Sequence, residues 1–360
     1  MFSSKIPLKY DLNYYDYPLP PEEQIAYYPA QERSASKLLV INKRTSQLFF
    51  HERFSEIEHY LKKGDLLVLN NTKVFPARLK LVKSTGGEVE ALLFQKPKGF
   101  YFECTSLFKG KRLKVGQILF SKDKSLKITL LENLGEGKFR ILLETEEKPL
   151  EELLVEIGLA PLPPYIKREP EKKDLDLYQT VYAEKEGSIA APTAGFHFDI
   201  PLLEHLKEKG VILSYITLHV GYGTFAPIKH RDIRLHKLEP EYVEVSEEAV
   251  EEIKKALKEK RRIIAVGTTV TRTLEFLARY NFKPYSGPCS LYIYPDFEFK
   301  VVSALVTNFH LPKSSPLLLV CAFAGRELIF KAYEEATKRG YRFYSYGDAT
   351  FIYDDQTLNR

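Results

Sequence analysis

The feature that most restricts the fold is a change of sequence pattern along the chain. From Asp65 to Lys148, short β-prone runs alternate with turn sequences rich in Gly, Pro, Ser and Lys. Strands at this regular spacing are typical of a small antiparallel barrel or sandwich. After Pro149 helices and strands alternate instead. Together the two patterns predict an all-β insert of about 85 residues within an α/β protein.

The α/β region carries recognisable start and stop signals. A short helix before Gly210 is followed by an apolar run over 211–218, which predicts a strand. Ser246 is placed to cap an acidic helix. The strand predicted over 262–266 leads into a Gly-Thr-Thr turn and another helix. This order is typical of mononucleotide-binding units, whose ligands lie beyond the carboxyl ends of strands.

The predicted domain organisation follows from these patterns. A main α/β domain is formed by residues 1–62 together with residues 151–360, and the second of these segments is the catalytic one. A small antiparallel β-barrel domain is inserted between them at residues 63–150.

The charge of the chain is unevenly distributed. The formal net charge is only +5 over 360 residues, but residues 64–148 carry a net +6 and the rest of the chain a net −1. A basic segment of this kind suits contact with phosphate, and a solvated basic surface explains it equally well on charge alone.

Several common classes are disfavoured by missing motifs. Cys104, Cys289 and Cys321 are odd in number and far apart, so we expect a reducing cytoplasm and no disulfide framework. The longest apolar stretch, residues 316–325, is too short to span a membrane. The sequence has no P-loop, GxGxxG, GxSxG, HExxH or paired CxxC motif, and no metal is expected. His236, Glu239 and Glu241 could hold one ion, but a hydrogen-bonded histidine with surface carboxylates is the simpler interpretation.

Three short segments rich in Gly, Ala and Thr each end at or near a histidine: residues 190–197, 217–225 and 307–312. Small residues let a ligand approach the backbone, while Thr, Asn and His supply directional polar groups. Any one segment is explained better by turns and a buried histidine, but the three together predict one binding cavity. Thr193, Thr224, Thr268, Thr269 and Asn308 suit hydroxyls and base edges, and His197, His219, His236 and His310 suit proton transfer.

Longer motifs give the chain a resemblance to a known family. They occupy residues 64–74, 76–79, 85–90, 161–166 and 178–182, together with the three segments above, the VGTT turn and residues 341–349. In this order they resemble the S-adenosylmethionine:tRNA ribosyltransferase-isomerases of queuosine biosynthesis. The resemblance runs nearly end to end and implies an α/β domain with a β-barrel insert.

The resemblance also implies a reaction. The ribosyl part of S-adenosylmethionine, the co-substrate, moves onto the aminomethyl group of a 7-deazaguanine in a tRNA anticodon loop, giving an epoxide and releasing adenine and methionine. The expected partner is therefore tRNA, and no association with a membrane is expected. Two other interpretations stay open: an RNA-binding protein without catalysis, and a transferase that acts on a small molecule.

This chemistry needs a base for the C5′ proton beside the sulfonium and an acid for the departing adenine. The catalytic candidates are His197, His219, His310, Glu241 and Asp348, with no roles assigned among them. Aromatic faces for the sulfonium are offered by Phe196, Tyr222, Phe225 and Tyr346. The substrate-binding candidates, with Arg33, Lys73 and Arg78 for phosphates, are Arg33, Asn70, Lys73, Arg78, Thr193, Gly195, Phe196, Gly221, Gly223, Thr224, Thr268, Arg272, Asn308 and Tyr346.

The chain departs from the family pattern at several positions. Glu239 stands where the family usually has a second histidine, which puts a role for that histidine in doubt. Lys37 and Lys73 stand where Arg is common, and lysine lacks the bidentate geometry of a guanidinium. Phe196 replaces a usual Leu beside His197 and enlarges an apolar wall.

Overall fold

The structure, a computed structural model, describes residues 6–110, 112–224 and 227–354. The strands β1 to β17 are, in order, Leu38–Asn42, Gln47–His51, Leu66–Asn70, Thr72–Val74, Arg78–Lys83, Glu88–Leu93, Tyr101–Lys109, Ile118–Ser121, Lys127–Gly135, Lys138–Glu144, Lys185–Ser188, Ile212–His219, Glu241–Val245, Ile263–Val266, Tyr285–Cys289, Ala304–Asn308 and Ala349–Tyr353. The helices α1 to α7 are Leu150–Ile157, Asp174–Leu177, Ile200–Glu208, Glu247–Lys258, Thr268–Leu277, Ser315–Ala324 and Arg326–Lys338.

A nine-stranded mixed sheet forms the centre of the fold, in the order β15-β13-β12-β3-β14-β16-β17-β1-β2. Its neighbouring strands β12, β3, β14 and β16 are parallel, and β17 runs antiparallel to β16 and parallel to β1. All residues of β3, β14 and β16 are buried. Such continuous burial is expected of parallel strands that are covered on both faces.

Helices pack on both faces of this sheet. On one face, α4 to α7 share a core with Leu66 and Val68 of β3. On the opposite face, α3 and the 3-10 segment Phe54–Tyr60 pack on Leu67 and Leu69 of the same strand. The main domain is therefore a three-layer α/β structure. The cap predicted at Ser246 is present, since its hydroxyl accepts the amide hydrogen bond of Ala249 at 3.2 Å.

The insert is a closed barrel rather than an open sandwich. Its six antiparallel strands follow the order β10-β7-β6-β5-β8-β9, and closure leaves no exposed sheet edge. Buried and solvent-facing residues alternate along β10, which is typical of a barrel wall. Helix α1 packs Leu150, Leu153 and Leu154 into the same core as the barrel interior.

The barrel begins later than the sequence boundary at residue 63. Its strands run from Arg78 to Glu144, whereas Leu66–Asn70 forms β3 near the middle of the large sheet. The physical reason is burial: all five residues of β3 are enclosed, and a strand of a small barrel must leave one face toward solvent.

A buried ion pair joins two neighbouring parallel strands where they begin. Asp65 precedes β3 and Arg262 precedes β14; their side chains are 1% and 2% exposed. Arg262 Nε donates to Asp65 Oδ1 at 2.9 Å, and Arg262 Nη2 donates to Asp65 Oδ2 and to the carbonyl oxygen of Tyr60. The amide of Lys62 also donates to Asp65 Oδ2 at 2.7 Å. Each charge therefore has a bidentate partner and a backbone partner, which fixes the register of the two strands.

Replacing one member of this pair should be costly. We expect Asp65→Asn to lower the free energy of unfolding by about 3–5 kcal/mol, because the Arg262 charge stays buried without its counter-ion. Urea titration followed by circular dichroism measures the change. Glu88→Gln is the control, since Glu88 pairs with Lys122 at the surface, where both side chains are more than half exposed, and it should cost less than about 1 kcal/mol. Equal losses in the two variants would contradict this assignment.

Candidate active site

A cavity of about 340 Å³ opens at the carboxyl ends of the central parallel strands. Its wall includes Val220 after β12, residues 267–269 after β14 and residues 307–314 at the end of β16. Residues 191–194 close another side. The three small-residue segments thus all contribute to a single cavity. Two of them follow β12 and β16, whose parallel arrangement brings their ends to the same edge of the sheet, and the third, residues 190–197, follows β11 of a separate two-stranded sheet.

Asn308 organises the polar side of this cavity. Its Oδ1 accepts a hydrogen bond from the Thr193 hydroxyl at 3.0 Å. Its amide nitrogen donates to the carbonyl oxygen of Tyr344 at 3.1 Å and faces His197 Nε2 at 3.1 Å. With all of these partners present, the orientation of the amide is fixed by its surroundings.

His197 lies behind the cavity wall. It is 2% exposed, and its ring is held between Asn308 and Ser36, whose hydroxyl is 2.8 Å from Nδ1. Because Nε2 accepts the hydrogen bond of the Asn308 amide, the ring proton lies on Nδ1 and is donated to Ser36. Burial, assisted by the positive charges of Arg342 and Arg33, lowers the pKa of His197 to about 3. His197 is therefore neutral, and it contacts the cavity wall through Asn308.

His310 is the predicted catalytic residue that reaches the cavity. Its side chain lines the wall, and its Nε2 lies 2.8 Å from the hydroxyl of Thr307. Its backbone amide donates to the Tyr333 hydroxyl at 3.0 Å, which fixes the main chain at this point. Burial lowers the pKa of His310 to about 3, so the imidazole is neutral and able to accept a proton.

The first turn of α5 forms another part of the cavity wall. Thr268 and Thr269 line the cavity, and Gly267 precedes the helix with φ of 100°, a conformation that favours glycine. Among the described residues no side chain caps this helix. Its first amides and the positive end of its dipole are therefore available to a ligand.

Three predicted catalytic residues are engaged away from the cavity. His219 lies 2.7 Å from the Thr72 hydroxyl, and its ring stacks on Tyr242. Glu241 accepts the Gly221 amide at 2.9 Å and forms a buried ion pair with Arg272. Asp348 accepts the amides of Lys37 and Arg342 at 2.8 and 2.7 Å, and burial raises its pKa. In the described residues these groups hold loops and strands in place.

Another group of predicted residues lines a small separate cleft with His197. Phe196 stacks on Tyr346 with ring centroids 5.6 Å apart, and the guanidinium of Arg33 lies 5.3 Å from the Phe196 ring centroid. Gly195 is required here, since a Cβ atom would lie 2.0 Å from the Tyr182 hydroxyl. The cleft is linked to the main cavity through His197, which contacts Asn308.

The remaining binding candidates are distributed over the structure. Asn70 is 1% exposed, and its amide group bonds the backbone of Leu218 and Thr72. Lys73 is exposed on β4, and Arg78 starts the barrel and pairs with Glu90 at 3.4 Å. Gly223 is buried beside Glu239, while the Thr224 side chain and Phe225 lie outside the described residues.

The aromatic wall of the cavity differs from the predicted one. Tyr165, Phe309 and Tyr344 line it, and the rings of Tyr165 and Tyr344 lie 5.0 Å apart between centroids. Tyr222 instead stacks on Phe94 of the barrel. Tyr165 and Tyr344 belong to the motif segments 161–166 and 341–349, so these motifs were the part of the sequence from which the two residues could have been predicted.

Within the described ranges, no cluster of three or more His, Cys, Asp or Glu residues is arranged to hold a metal. Glu239 instead pairs with Lys138 at 2.6 Å. Over the same residues, no helix has the length and apolarity needed to cross a membrane.

Comparison with known proteins assigns the chain to a family. The model of the family described as "Queuosine biosynthesis protein" matches residues 12–352. The chain belongs to this queuosine biosynthesis family. The S-adenosylmethionine:tRNA ribosyltransferase-isomerase of Aquifex aeolicus (strain VF5) is 50% identical to it over 340 residues, covering 94% of this chain and 98% of that relative. The relative of the same name from Sulfurihydrogenibium sp. (strain YO3AOP1) is 46% identical over 342 residues, covering 95% and 99%.

A solved structure agrees with this chain in fold. The crystal structure of the S-adenosylmethionine tRNA ribosyltransferase of Thermotoga maritima matches with a TM-score of 0.53 at 36% identity, covering 96% of this chain and 99% of that one. The expected family, the α/β fold with its barrel and the identification as an enzyme are confirmed. The roles of individual residues stay predictions.

The neutral state of His197 predicts a pH-dependent stability. The ordinary histidine pKa is 6.5 and the folded value about 3, so at pH values between these limits the unfolded chain binds a proton that the folded protein excludes. Stability should therefore fall as the pH decreases from 7 to 5, with His197 accounting for about 1–2 kcal/mol of the loss.

Urea titrations at pH 7 and pH 5 measure this difference. We expect His197→Gln to lose less stability over the interval than the wild type does. His59→Gln, at a site where 64% of the side chain is exposed, should keep the wild-type dependence. A His197→Gln protein with the unchanged wild-type slope would show that His197 is not held neutral.

Proposed function

We propose that this enzyme transfers and isomerises the ribosyl moiety of S-adenosylmethionine onto 7-aminomethyl-7-deazaguanine in the anticodon loop of tRNA. The product is epoxyqueuosine-tRNA, and adenine and methionine are released. The names of the relatives support this proposal. The observation that carries it is the convergence of residues 191–194, 267–269 and 307–310 on one cavity of about 340 Å³, a volume in the range of small-molecule sites.

The lining of the cavity suits a nucleoside that carries a positive charge. Thr193, Thr268 and Asn308 offer neutral hydrogen-bonding groups for a base and ribose hydroxyls. The Tyr165 and Tyr344 rings offer electron-rich faces for a sulfonium. Both histidines near the site are neutral, because burial lowers the pKa of each to about 3, so neither repels a cation.

His310 is the residue to which we assign proton transfer. It lines the cavity, its ring is held by the Thr307 hydroxyl, and its neutral imidazole can accept a proton. The neighbouring sulfonium acidifies the C5′ proton, which reduces the basicity that the imidazole must supply. His197 positions Asn308 and does not itself touch the substrate.

The barrel and its flanking segment are proposed to contact tRNA phosphates. Residues 64–148 carry a net charge of +6. Lys73 is exposed on β4, which lies between β3 and the barrel in sequence, and Lys80 is exposed on β5 of the barrel, where it pairs with Glu169 at 2.7 Å. Arg78 lies between them in sequence. The anticodon loop is single-stranded, so its target base can leave the stack and enter a cavity.

All three cysteines are buried thiols, which supports the cytoplasm as the place of the reaction.

Adenine release tests the proposed reaction. Incubation of the protein with S-adenosylmethionine and tRNA bearing 7-aminomethyl-7-deazaguanine should release adenine and methionine in equal amounts, as measured by liquid chromatography. Unmodified tRNA is the control and should give no turnover. Release without tRNA would favour a transferase for small molecules, while salt-sensitive tRNA binding without release would favour a purely RNA-binding role.

Substitution of His310 tests its assignment. We expect His310→Ala to lower kcat for adenine release by about 10²–10⁴-fold, the usual contribution of a general base. Binding of tRNA, measured by filter binding, should change less than about twofold, since His310 lies in the cavity and not on the basic surface. His219→Ala and His59→Ala are the matched controls and should keep kcat within about threefold. A larger loss in His219→Ala than in His310→Ala would overturn the assignment.

A further inference from the structure

Arg272, on α5, has one guanidinium nitrogen with no partner among the described residues. The residue is 6% exposed. Its Nε donates to the carbonyl oxygen of Leu291 at 2.8 Å, and its Nη1 donates to Glu241. Its Nη2 is buried and makes no hydrogen bond there. Leaving a charged donor unpaired in the interior costs free energy, so this nitrogen is suited to a ligand that completes it.

Two further unpaired polar atoms lie beside it. The hydroxyl of Tyr292 and Nε2 of His236 are buried, and the described part of the chain offers neither a partner. The two rings contact each other edge to face, with centroids 5.2 Å apart. Burial raises the pKa of Tyr292, so its hydroxyl keeps its proton and can donate it.

Arg272 and Tyr292 face a narrow cleft that adjoins the main cavity, and His236 packs behind Tyr292. Arg272 and Tyr292 line the cleft together with Leu238, Ile293 and Leu319. Thr268, Thr269 and Pro316 belong to the walls of both the cleft and the main cavity. The first turn of α5, which carries Thr268 and Thr269, therefore stands at the junction, with its uncapped amides and the positive end of its dipole.

The donors at this junction match an anion with two oxygens. A guanidinium nitrogen, a phenol hydroxyl and helix amides all donate hydrogen bonds. The carboxylate of Glu241 pairs with Nη1 of Arg272, which leaves Nη2 facing the cleft without an acceptor among the described residues. Given the proposed function, the cavity must hold a nucleoside whose anionic group is an α-carboxylate on a flexible chain. We propose that the cleft formed by Arg272, Tyr292 and the first turn of α5 binds the carboxylate of the methionyl end of S-adenosylmethionine. The adenosyl end then occupies the main cavity, and methionine leaves through the cleft side.

The test compares S-adenosylmethionine with decarboxylated S-adenosylmethionine, which keeps the sulfonium and lacks the carboxylate. For the wild type, we expect kcat/KM for adenine release from modified tRNA to favour the carboxylate-bearing ligand at least tenfold. Tyr292→Phe should lower kcat/KM for S-adenosylmethionine about tenfold and leave that for the decarboxylated ligand within about twofold, since one hydrogen bond to a charged group is lost. Its thermal midpoint should equal that of the wild type or exceed it, because the removed hydroxyl has no partner in the free protein, as far as the described residues go.

Two further variants complete the experiment. Tyr294→Phe is the matched control, because the Tyr294 ring packs with its centroid 5.1 Å from that of Tyr292 but does not line the cleft. This variant should leave kcat/KM unchanged for both ligands. Arg272→Lys should remove the discrimination between the ligands even if it lowers the thermal midpoint. Equal losses for both ligands in Tyr292→Phe, or no loss for either, would overturn the carboxylate site. If the wild type released no adenine at all, the proposed reaction would be wrong. Calorimetry would still test the carboxylate site, by comparing the dissociation constants of the same two ligands for the wild type and for Tyr292→Phe, with the same fold-changes expected.

Discussion

Four neighbouring strands of the large sheet run parallel, and this is the constraint on which the rest of the structure depends. Parallel strands end at a common edge, so the segments that follow β12, β14 and β16 meet there although they are far apart in sequence. The Asp65–Arg262 ion pair fixes the opposite edge, where β3 and β14 begin. One edge therefore carries the charge pair that sets the register, and the other carries the ligand cavity.

The two polar regions beside the cavity differ in how completely their hydrogen bonds are made. Around Asn308 a continuous chain of hydrogen bonds runs from Thr193 through His197 to Ser36, which holds that wall in one arrangement. Beside Arg272 and Tyr292 the structure leaves donors unpaired in the described residues. The complete chain of hydrogen bonds from Thr193 to Ser36 suits a fixed surface against which a substrate is oriented, whereas the unpaired donors of Arg272 and Tyr292 suit a group that the ligand itself brings.

Much of this arrangement could be predicted from the sequence. Gly- and Thr-rich turns after apolar runs indicated strand ends, and their convergence followed from the α/β pattern. Which side chain of a turn faces the cavity could not be predicted: Val220 lines it, while the preceding His219 points to Thr72 and Tyr242. Asp348 and Glu241 were attractive carboxylates, but their partners are backbone amides and an arginine distant in sequence. The start of the barrel was misplaced because β3 has the same β-prone composition as the barrel strands.

The pairing of β1 with β17 has a consequence for how the chain is assembled during translation. Leu38 pairs with Ala349, so the first strand leaves the ribosome about 300 residues before its partner, whereas all six barrel strands lie within Arg78–Glu144. The barrel can close early, because its contacts are local in sequence, whereas the large sheet cannot be completed until β17 has been synthesised. Nascent chains should therefore expose the Leu38–Asn42 strand throughout synthesis, protected on one side only by its hairpin with β2.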